Sequence, residues 1–393
     1  MVMGILNLTE KELIDFLDEH GIQKYRARQI FTWIYRFGKT SFEEMTNLDK
    51  SLRQRLSEWF YIHRPRIIGV DKSRDGTMKF LLALYSVIGR IDGRRHGAHA
   101  TSCTRLNGHM AAQDEQRIDE PTNFRGLGIH NQKTIETVYI PDTKRNTICV
   151  SSQIGCAMGC KFCNTGHHGF TRNLTIEEII SQFLVVRDYL GNSSSEERLT
   201  NIVFMGMGEP LLNHHNVLRA ITNLMWDEET GISRRRITLS TAGIADVLEE
   251  IAAELPCRLA ISLHAPNDKI RSRIMPINDR YNIESIMRAC NKYTHHHEYL
   301  KITFEYLLLD GINDSNECAR ELLNLIRGLN AKVNLLQFNT WEGCSFSPSP
   351  QNRVLEFSRI LEGAGIEAPI RHRRGEDIMA ACGQLKAAKI KEN

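Results

Sequence analysis

The chain has 393 residues, of which 41% are hydrophobic and 25% are charged, and its formal net charge at pH 7 is +3. This composition is typical of a soluble globular protein with one large domain and a small one, and the charge is too small to predict nucleic-acid binding by itself. No apolar run approaches the roughly 20 residues that a membrane helix requires. The ten cysteines occur without a signal peptide, so we expect a cytoplasmic protein whose thiols serve metals or catalysis.

Residues from about 8 to 60 are predicted to form a compact helical unit. Thr9 and Glu12 have the spacing of a capping box that begins a helix, and Gly21 is placed to end it. The segment 24–36 interleaves basic residues with aromatic ones and contains no acid. An amphipathic helix that packs in a small core explains this pattern, and contact with RNA phosphates is the alternative.

Strands are predicted at 67–84, with a hairpin turn at Asp75 and Gly76, and again at 134–141. The residues between them, 85–132, are rich in Gly, Arg, His and Asn and show neither a helical nor a strand period. We expect an irregular insertion without a role in the activity, in which Cys103 is a bystander.

From residue 147 onward, strand-like and helix-like segments alternate. Strands are predicted near 147–150, 201–205, 236–240, 258–263, 301–308 and 332–338, and helices near 175–190, 215–226, 245–254, 283–293, 315–329 and 353–363. Six such units predict an α/β fold, a partial (β/α)6 barrel, with a small N-terminal helical domain. The predicted boundaries are 1–65 for the helical domain, 66–142 for linking strands with the insertion, 143–385 for the barrel and 386–393 for a basic tail.

Three cysteines, Cys156, Cys160 and Cys163, follow the first strand of this series with C-x3-C-x2-C spacing. Thiolates this close in sequence can hold one soft metal centre, and three of them leave one iron of a four-iron cluster open. A closed zinc site would need a fourth ligand, which His167 or His168 could supply, and free thiols are the third interpretation.

Small and polar residues follow the carboxyl ends of the other predicted strands, the edge at which α/β proteins bind ligands. They are Gly206 to Pro210, Ser240 and Thr241, Ser262 to His264, and Asn339. The glycines predict a close approach of backbone to a ligand. Glu209 could bind an amino group of that ligand. The hydroxyl and amide groups could bind ribose and carboxylate. Strand-end capping is the alternative for these polar groups, and for His264 we favour a bond to backbone over a role as a base.

The cysteine spacing, with Phe162 before the last cysteine, resembles the signature of radical S-adenosylmethionine (SAM) enzymes. More specifically, residues 6–84 and 134–385 resemble the RlmN family of RNA adenosine methyltransferases. The motifs that carry this resemblance lie at 149–156, 205–213, 259–267, 309–314 and 374–382. Two features depart from the family pattern, namely the insertion at 85–132 and the segment 337–341, which lacks the usual proline-flanked Phe-Asn-Pro.

The resemblance implies one [4Fe-4S] cluster per chain, held by Cys156, Cys160 and Cys163, whose open iron binds SAM. Two SAM molecules are implied per turnover. The implied SAM-binding residues are Gly208, Glu209, Ser240, Ser262, Leu263, His264 and Asn339.

The implied reaction is methylation of carbon 2 of adenosine in the peptidyl transferase centre of 23S rRNA and beside the anticodon of tRNA. That carbon is electrophilic, so a radical route is required. By resemblance, Cys382 becomes an S-methylcysteine that joins the ring, Glu136 accepts the ring proton, and Cys149 attacks the sulfur of Cys382 to release the product and form a transient disulfide. Without the resemblance, both cysteines would be interpreted as small core residues.

The implied partners are 23S rRNA, tRNA and an electron-donating reductant such as flavodoxin, and we expect a monomer without membrane contact. Residues 234–236, Arg371, Arg373 and Arg374 are candidate phosphate contacts, with solvated surface charge as the alternative. Two other functions stay open at this stage. One is the related resistance enzyme that methylates carbon 8 of adenosine, and the other is a zinc-holding RNA-binding protein without catalysis.

Overall fold

The structure is a computed structural model that describes residues 2–84, 133–143, 145–191, 198–226 and 231–385. The predicted insertion at 85–132, with Cys103, and the predicted tail at 386–393 lie outside the described residues.

The N-terminal residues form the predicted helical unit. Its elements are β1 (Met3–Gly4), α1 (Glu10–Glu19), α2 (Tyr25–Phe31), α3 (Lys50–Trp59) and β2 (Phe60–Tyr61). The capping box at Thr9 and Glu12 is present, and α2 continues as a π turn over Thr32–Arg36. Arg26 donates to the backbone oxygen of Asn47 at 3.1 Å, so this basic residue serves the unit itself.

A ten-stranded sheet forms the rest of the framework, in the order β14-β13-β12-β11-β10-β9-β6-β5-β4-β3. Its strands are β3 (Arg66–Lys72), β4 (Met78–Leu84), β5 (Lys133–Ile140), β6 (Thr147–Cys149), β9 (Asn201–Phe204), β10 (Ile237–Thr241), β11 (Arg258–Ser262), β12 (Ile302–Leu308), β13 (Ala331–Gln337) and β14 (Ile370–Arg371). The strands β3, β4, β5 and β6 pair antiparallel, and the pairs from β6 through β9 to β14 are parallel.

Helices alternate along the chain with the strands of the parallel part. They are α4 (Asn164–His167), α5 (Ile176–Leu190), α6 (His214–Leu224), α7 (Ala245–Ile251), α8 (Asp268–Ile274), α9 (Ile283–His296), α10 (Asn316–Ile326) and α11 (Gln351–Gly363). Each of the six strands from β6 to β13 in the parallel part is followed by one of the predicted helices, so the predicted partial (β/α)6 barrel is confirmed. The short elements α8 and β14 were not predicted, because their hydrophobic periods are too brief to detect.

The cysteine loop is also flanked by strands that were not predicted, β7 (Gln153–Gly155) and β8 (Phe170–Asn173), which pair antiparallel. The core is continuous from the N-terminal helices to the barrel. Phe31 of α2 meets Trp226 edge-on, with 5.8 Å between ring centroids, and Asn223 Nδ2 donates to the backbone oxygen of Leu8 at 2.8 Å. Of the helices in the part of the chain that the structure describes, none is both long and apolar enough to cross a membrane.

Candidate active site

The three cysteines of the predicted cluster motif lie on the loop between β7 and β8. Cys156 N–H donates to the backbone oxygen of Gly169 at 2.8 Å, and Cys163 N–H donates to that of Cys160 at 3.0 Å. These bonds turn the loop so that all three residues line one cavity of about 480 Å³ inside the barrel. A volume of this order is usual for small-molecule sites.

The three thiols are close enough to influence one another. Burial raises the pKa of Cys156 to about 12, and the neighbouring thiol of Cys163 contributes to this rise. Burial and the thiols of Cys163 and Cys156 likewise raise the pKa of Cys160. Three buried thiols that repel one another as thiolates need a bound cationic centre to become ligands together.

One histidine that the zinc alternative would use, His167, has other partners. Among the described residues, no three His, Cys, Asp or Glu side chains converge closely enough to hold a single metal ion. His167 packs instead against Trp341, with 4.8 Å between ring centroids, and its Nε2 lies 3.3 Å from the backbone oxygen of Lys161. Three thiols that face one cavity fit three corners of a larger iron–sulfur cluster.

The two glycines after β9 are required by the packing of the chain itself, and their close approach to a ligand stays a prediction. A Cβ on Gly206 would lie 2.8 Å from the backbone of Val150. Gly208 has φ 99°, and a Cβ there would lie 2.5 Å from Cβ of Gln153. Both glycines line the cavity, but their missing side chains admit the strand that leads into the cysteine loop.

Glu209 is buried at the cavity wall, and both of its carboxylate oxygens accept backbone hydrogen bonds. Oε1 accepts from Leu211 N–H at 2.9 Å and Oε2 accepts from Ala242 N–H at 2.7 Å. Burial raises the pKa of Glu209. A carboxylate has about four acceptor sites, so the capacity to meet a ligand amino group remains.

The predicted residues after β10 and β11 lie on the same wall. Ser240 and Ser262 line the cavity. The side chain of Leu263 is fully buried, and its N–H donates to the backbone oxygen of Glu305 at 3.1 Å. Its backbone oxygen accepts from Arg271 Nε at 3.2 Å, and Leu263 is not among the described residues that line the cavity, so its contact with SAM stays a prediction.

His264 bonds to the backbone at a turn, which is the role that we favoured over that of a base. Its φ is 56°, and Nδ1 accepts a hydrogen bond from Leu307 N–H at 3.0 Å. Burial and the nearby Arg271 lower the pKa of His264 to about 3, so the ring is neutral at physiological pH. The ring also lines the cavity and meets Phe162 edge-on at 4.9 Å.

Asn339 follows β13, as predicted. Its Oδ1 is buried and has no hydrogen-bond partner among the described residues. A buried amide oxygen of this kind is costly unless a ligand supplies a donor. Asn339 is not among the described residues that line the cavity of the three cysteines, so its contact with SAM stays a prediction.

Cys382 is held above the cysteine loop by its own backbone neighbours. Asn164 N–H donates to the oxygen of Gly383 at 2.6 Å, and Thr165 Oγ1 donates to that of Leu385 at 2.5 Å. Cys382 lines the same cavity as the three cluster cysteines and is accessible from it. The protein atoms around the cavity desolvate the thiol and, with the nearby thiol of Cys149, raise its pKa.

Cys149 and Glu136 lie on neighbouring strands beside the cavity. Cys149 is buried in β6 and pairs with Val138 of β5, and Glu136 lies two residues before Val138, so all three side chains point to the same face of the sheet. The Glu136 carboxylate is buried and lies 3.5 Å from Lys79 Nζ. Both cysteines, Cys149 and Cys382, are free thiols in this structure.

Several functional positions carried no signal in the sequence. Arg271 is fully buried and donates to the backbone oxygens of Ala242 and Ser262 at 2.6 and 3.3 Å, which ties two rim loops together. Trp341 Nε1 donates to the oxygen of Phe162 at 3.0 Å, in the segment where the family's prolines are missing. Only an alignment of relatives would have marked these residues from sequence.

The chain matches two known protein families. One is the ribosomal RNA large subunit methyltransferase N-terminal domain, over residues 3–62, and the other is the radical SAM superfamily, over residues 150–325. The chain is 39% identical to the dual-specificity RNA methyltransferase RlmN of Rhodospirillum rubrum, over 99% of this chain and 82% of that protein. It is 42% identical to the RlmN of Paracoccus denitrificans, over 98% of this chain and 90% of that protein.

A solved structure has the same fold. The crystal structure of a radical SAM methyltransferase from Sphaerobacter thermophilus superimposes with a TM-score of 0.80 at 36% identity, and covers 98% of this chain and 100% of that one.

Proposed function

The chain belongs to the RlmN family of radical SAM RNA methyltransferases, and from that membership we propose that it methylates carbon 2 of adenosine in 23S rRNA and tRNA. The observation that carries the proposal is the position of Cys382. This residue faces the same cavity as the three loop cysteines, and its thiol is close enough to that of Cys149 for Cys149 to raise its pKa.

The cofactors of this family are a [4Fe-4S] cluster and SAM, which together supply a methyl group and a carbon-centred radical when they are bound. The thiolates of Cys156, Cys160 and Cys163 would hold the cluster. Glu209, Ser240, Ser262 and the neutral His264 line the wall beside those thiols, and their polar groups would hold SAM. The unpaired Oδ1 of Asn339 and backbone atoms of Gly208 and Leu263 would complete that set.

Two cysteines and one carboxylate would carry the chemistry of this chain. Cys382 would bring the methyl carbon to the adenine ring through a carbon–sulfur bond. Glu136, which has a charged lysine 3.5 Å away, would accept the ring proton. Cys149 would then lose its proton and attack the sulfur of Cys382, so that a disulfide forms and the carbon–sulfur bond breaks. The carbon would leave with the bonding electrons and take up a proton, which completes the methyl group on the base. An external thiol would reduce this disulfide before the next turnover.

RNA would reach the cavity from the amino ends of the strands, where the lining is basic. Arg145 and Arg235, which precede β6 and β10, and Arg258, the first residue of β11, line the cavity there. Their guanidinium groups form no hydrogen bond or ion pair with the other residues that the structure describes. Arg371, the last residue of β14, lines the cavity nearer the rim. Unpaired cations of this kind attract phosphates and let the target adenosine be turned out of its loop into the cavity. An electron donor such as flavodoxin would serve the cluster, and we propose that the enzyme acts as a monomer.

The proposed function is tested by anaerobic reconstitution with iron and sulfide, followed by reaction with SAM and RNA. Nucleoside analysis by mass spectrometry should show 2-methyladenosine, and 8-methyladenosine would favour the related resistance activity instead.

A Cys149→Ala variant should accumulate a covalent RNA adduct through Cys382. The matched variant Cys257→Ala, which changes a cysteine buried elsewhere in the barrel, should release methylated RNA normally. Release of methylated RNA by Cys149→Ala would contradict the assigned roles.

A further inference from the structure

A second carboxylate faces the cavity and has no part in the chemistry above. Glu305, in the middle of β12, is 5% exposed and lines the cavity. Burial raises the pKa of Glu305 to about 7, although Arg371 and Lys332 oppose this rise. A carboxylate in such surroundings is costly unless it meets donors.

One donor comes from the neighbouring strand. Glu305 pairs with Asn334 in the register of β12 and β13, and Asn334 Nδ2 donates to Glu305 Oε1 at 2.9 Å. The other amide atom, Asn334 Oδ1, is buried and has no hydrogen-bond partner among the described residues. Two adjacent side chains therefore present spare acceptor oxygens at one point of the cavity wall, and this point requires a ligand with at least two N–H or O–H donors.

The position of this pair along the barrel indicates which ligand supplies the donors. Ser262, Glu305 and Asn334 occupy one level across three adjacent strands, just below the rim. Lys332 lies one step nearer the basic end of the cavity, on the same face of β13. The thiol of Cys382 lies towards the rim, close enough to Glu305 for this carboxylate to raise the pKa of the thiol. Glu305 and Asn334 therefore lie between the cationic side chains, which can bind phosphate, and the thiol of Cys382, which would react with the base.

Adenine offers two donors at the required place. Its exocyclic amino group carries two N–H donors and is bonded to carbon 6, which N1 separates from carbon 2, so both groups lie on the same edge of the ring. When carbon 2 faces Cys382, this edge faces the cavity wall. Carboxylate and amide oxygens are well suited to accept from an exocyclic amino group.

We propose that Glu305 and Asn334 form the site that recognises the exocyclic amino group of the target adenine. This inference rests on the proposed function, because it concerns the base on which that function acts. The pair binds and orients the base, and it makes the enzyme selective for adenosine over purines that lack the amino group or carry an acceptor in its place.

The test compares RNA hairpins that carry adenosine, purine riboside or inosine at the target position. The wild type should methylate the adenosine hairpin roughly 10- to 100-fold more efficiently, in kcat/KM, than the purine riboside hairpin. Glu305→Gln presents an amide that can turn its own N–H donors towards the base, and Asn334→Ala removes one acceptor. Both variants should lose most of this preference, chiefly because kcat/KM for the adenosine hairpin falls. Glu367→Gln, a matched change at an exposed ion pair with Lys301, should keep the preference.

Two further measurements separate this inference from its alternatives. In the absence of RNA, SAM binding should be unchanged in Glu305→Gln, which also shows that the variant is folded, and methyl transfer from SAM to Cys382 should still occur. If that transfer or SAM binding is lost while the preference for adenosine persists, the pair binds SAM and the inference is wrong. An unchanged preference in both variants would also overturn it. Failure of the wild type to methylate any adenosine hairpin would instead contradict the proposed function.

Discussion

The side chain of Asn164, directly after the last cysteine of the loop, donates from Nδ2 to the backbone oxygen of Gln384 at 3.0 Å. This bond, with the one from Asn164 N–H to Gly383, joins the two segments that bring Cys382 over the cysteine loop. The cysteine loop and the C-terminal segment are far apart in sequence, so their relative position depends on contacts of this kind.

Replacement of Asn164 by alanine should therefore displace Cys382 without dismantling the cysteine loop. The change leaves a buried carbonyl oxygen unpaired, at a cost of about 1–3 kcal/mol. We expect methyl transfer from SAM to Cys382 to slow by about 10-fold, which corresponds to about 1.4 kcal/mol in activation free energy. Protein mass spectrometry measures this rate, and iron content should equal that of the wild type. Asn316→Ala, which removes an exposed bond to Glu356, is the matched control. An unchanged rate in Asn164→Ala would mean that other contacts position Cys382.

Arg271 should be irreplaceable even by lysine. Its guanidinium donates to Ala242, Ser262 and Leu263 and so fixes the rim loops after β10 and β11. A lysine keeps the charge but lacks the planar fork, so most of these carbonyl oxygens would lose their partner.

We expect Arg271→Lys to lower the free energy of unfolding by about 2–4 kcal/mol, measured by urea denaturation, and to weaken SAM binding. Arg273→Lys, the same change on the exposed side of α8, should leave both quantities within error of the wild type. Equal stability of the two variants would show that the hydrogen bonds of Arg271 contribute little.

The order of the strands and helices in the barrel was predictable because each has a hydrophobic period long enough to read. The relation of Cys382 to Cys149 was different, since no local pattern joins positions so far apart, and only the family resemblance predicted it. Glu305 illustrates a third case. It lies within the fully buried strand Ile302–Leu308, where a single acid gives no sign of facing a cavity until the register of β12 against β13 is known.

The glycines of the segment after β9 show that a sequence pattern does not reveal the surroundings of a residue. Their spacing predicted a close approach to a ligand, and the structure shows that atoms of Val150, Ser151 and Gln153 also approach them closely. Sequence reveals that a side chain is missing, and only the fold reveals what occupies the space.

Gly208→Ala should consequently damage the site more than a glycine replacement elsewhere. The new Cβ would lie 2.5 Å from Cβ of Gln153, in a backbone conformation with φ 99° that alanine disfavours. We expect a loss of about 2–4 kcal/mol in the free energy of unfolding and a loss of SAM binding. Gly311→Ala has a comparable φ of 66° but no atom within 4 Å of the new Cβ, so it should cost only about 1 kcal/mol. The difference between the two variants measures the clash, and similar costs would contradict it.

His264 should make stability depend on pH in a defined range. Its pKa is lowered from 6.5 to about 3 in the folded protein, so between these values the unfolded chain binds a proton that the folded chain does not. The stability that the neutral ring contributes is therefore complete above about pH 6.5 and is lost as pH falls towards 3, by a few kcal/mol in total.

His264→Asn keeps an acceptor for Leu307 N–H and tolerates the φ of 56°, but it has no group that titrates. The unfolding free energy of the wild type, relative to this variant, should fall between pH 6.5 and 4, as measured by urea denaturation at each pH. His296→Asn, at an exposed position, should follow the wild type throughout. A constant difference between the wild type and His264→Asn across this range would mean that the ring is not held neutral by burial.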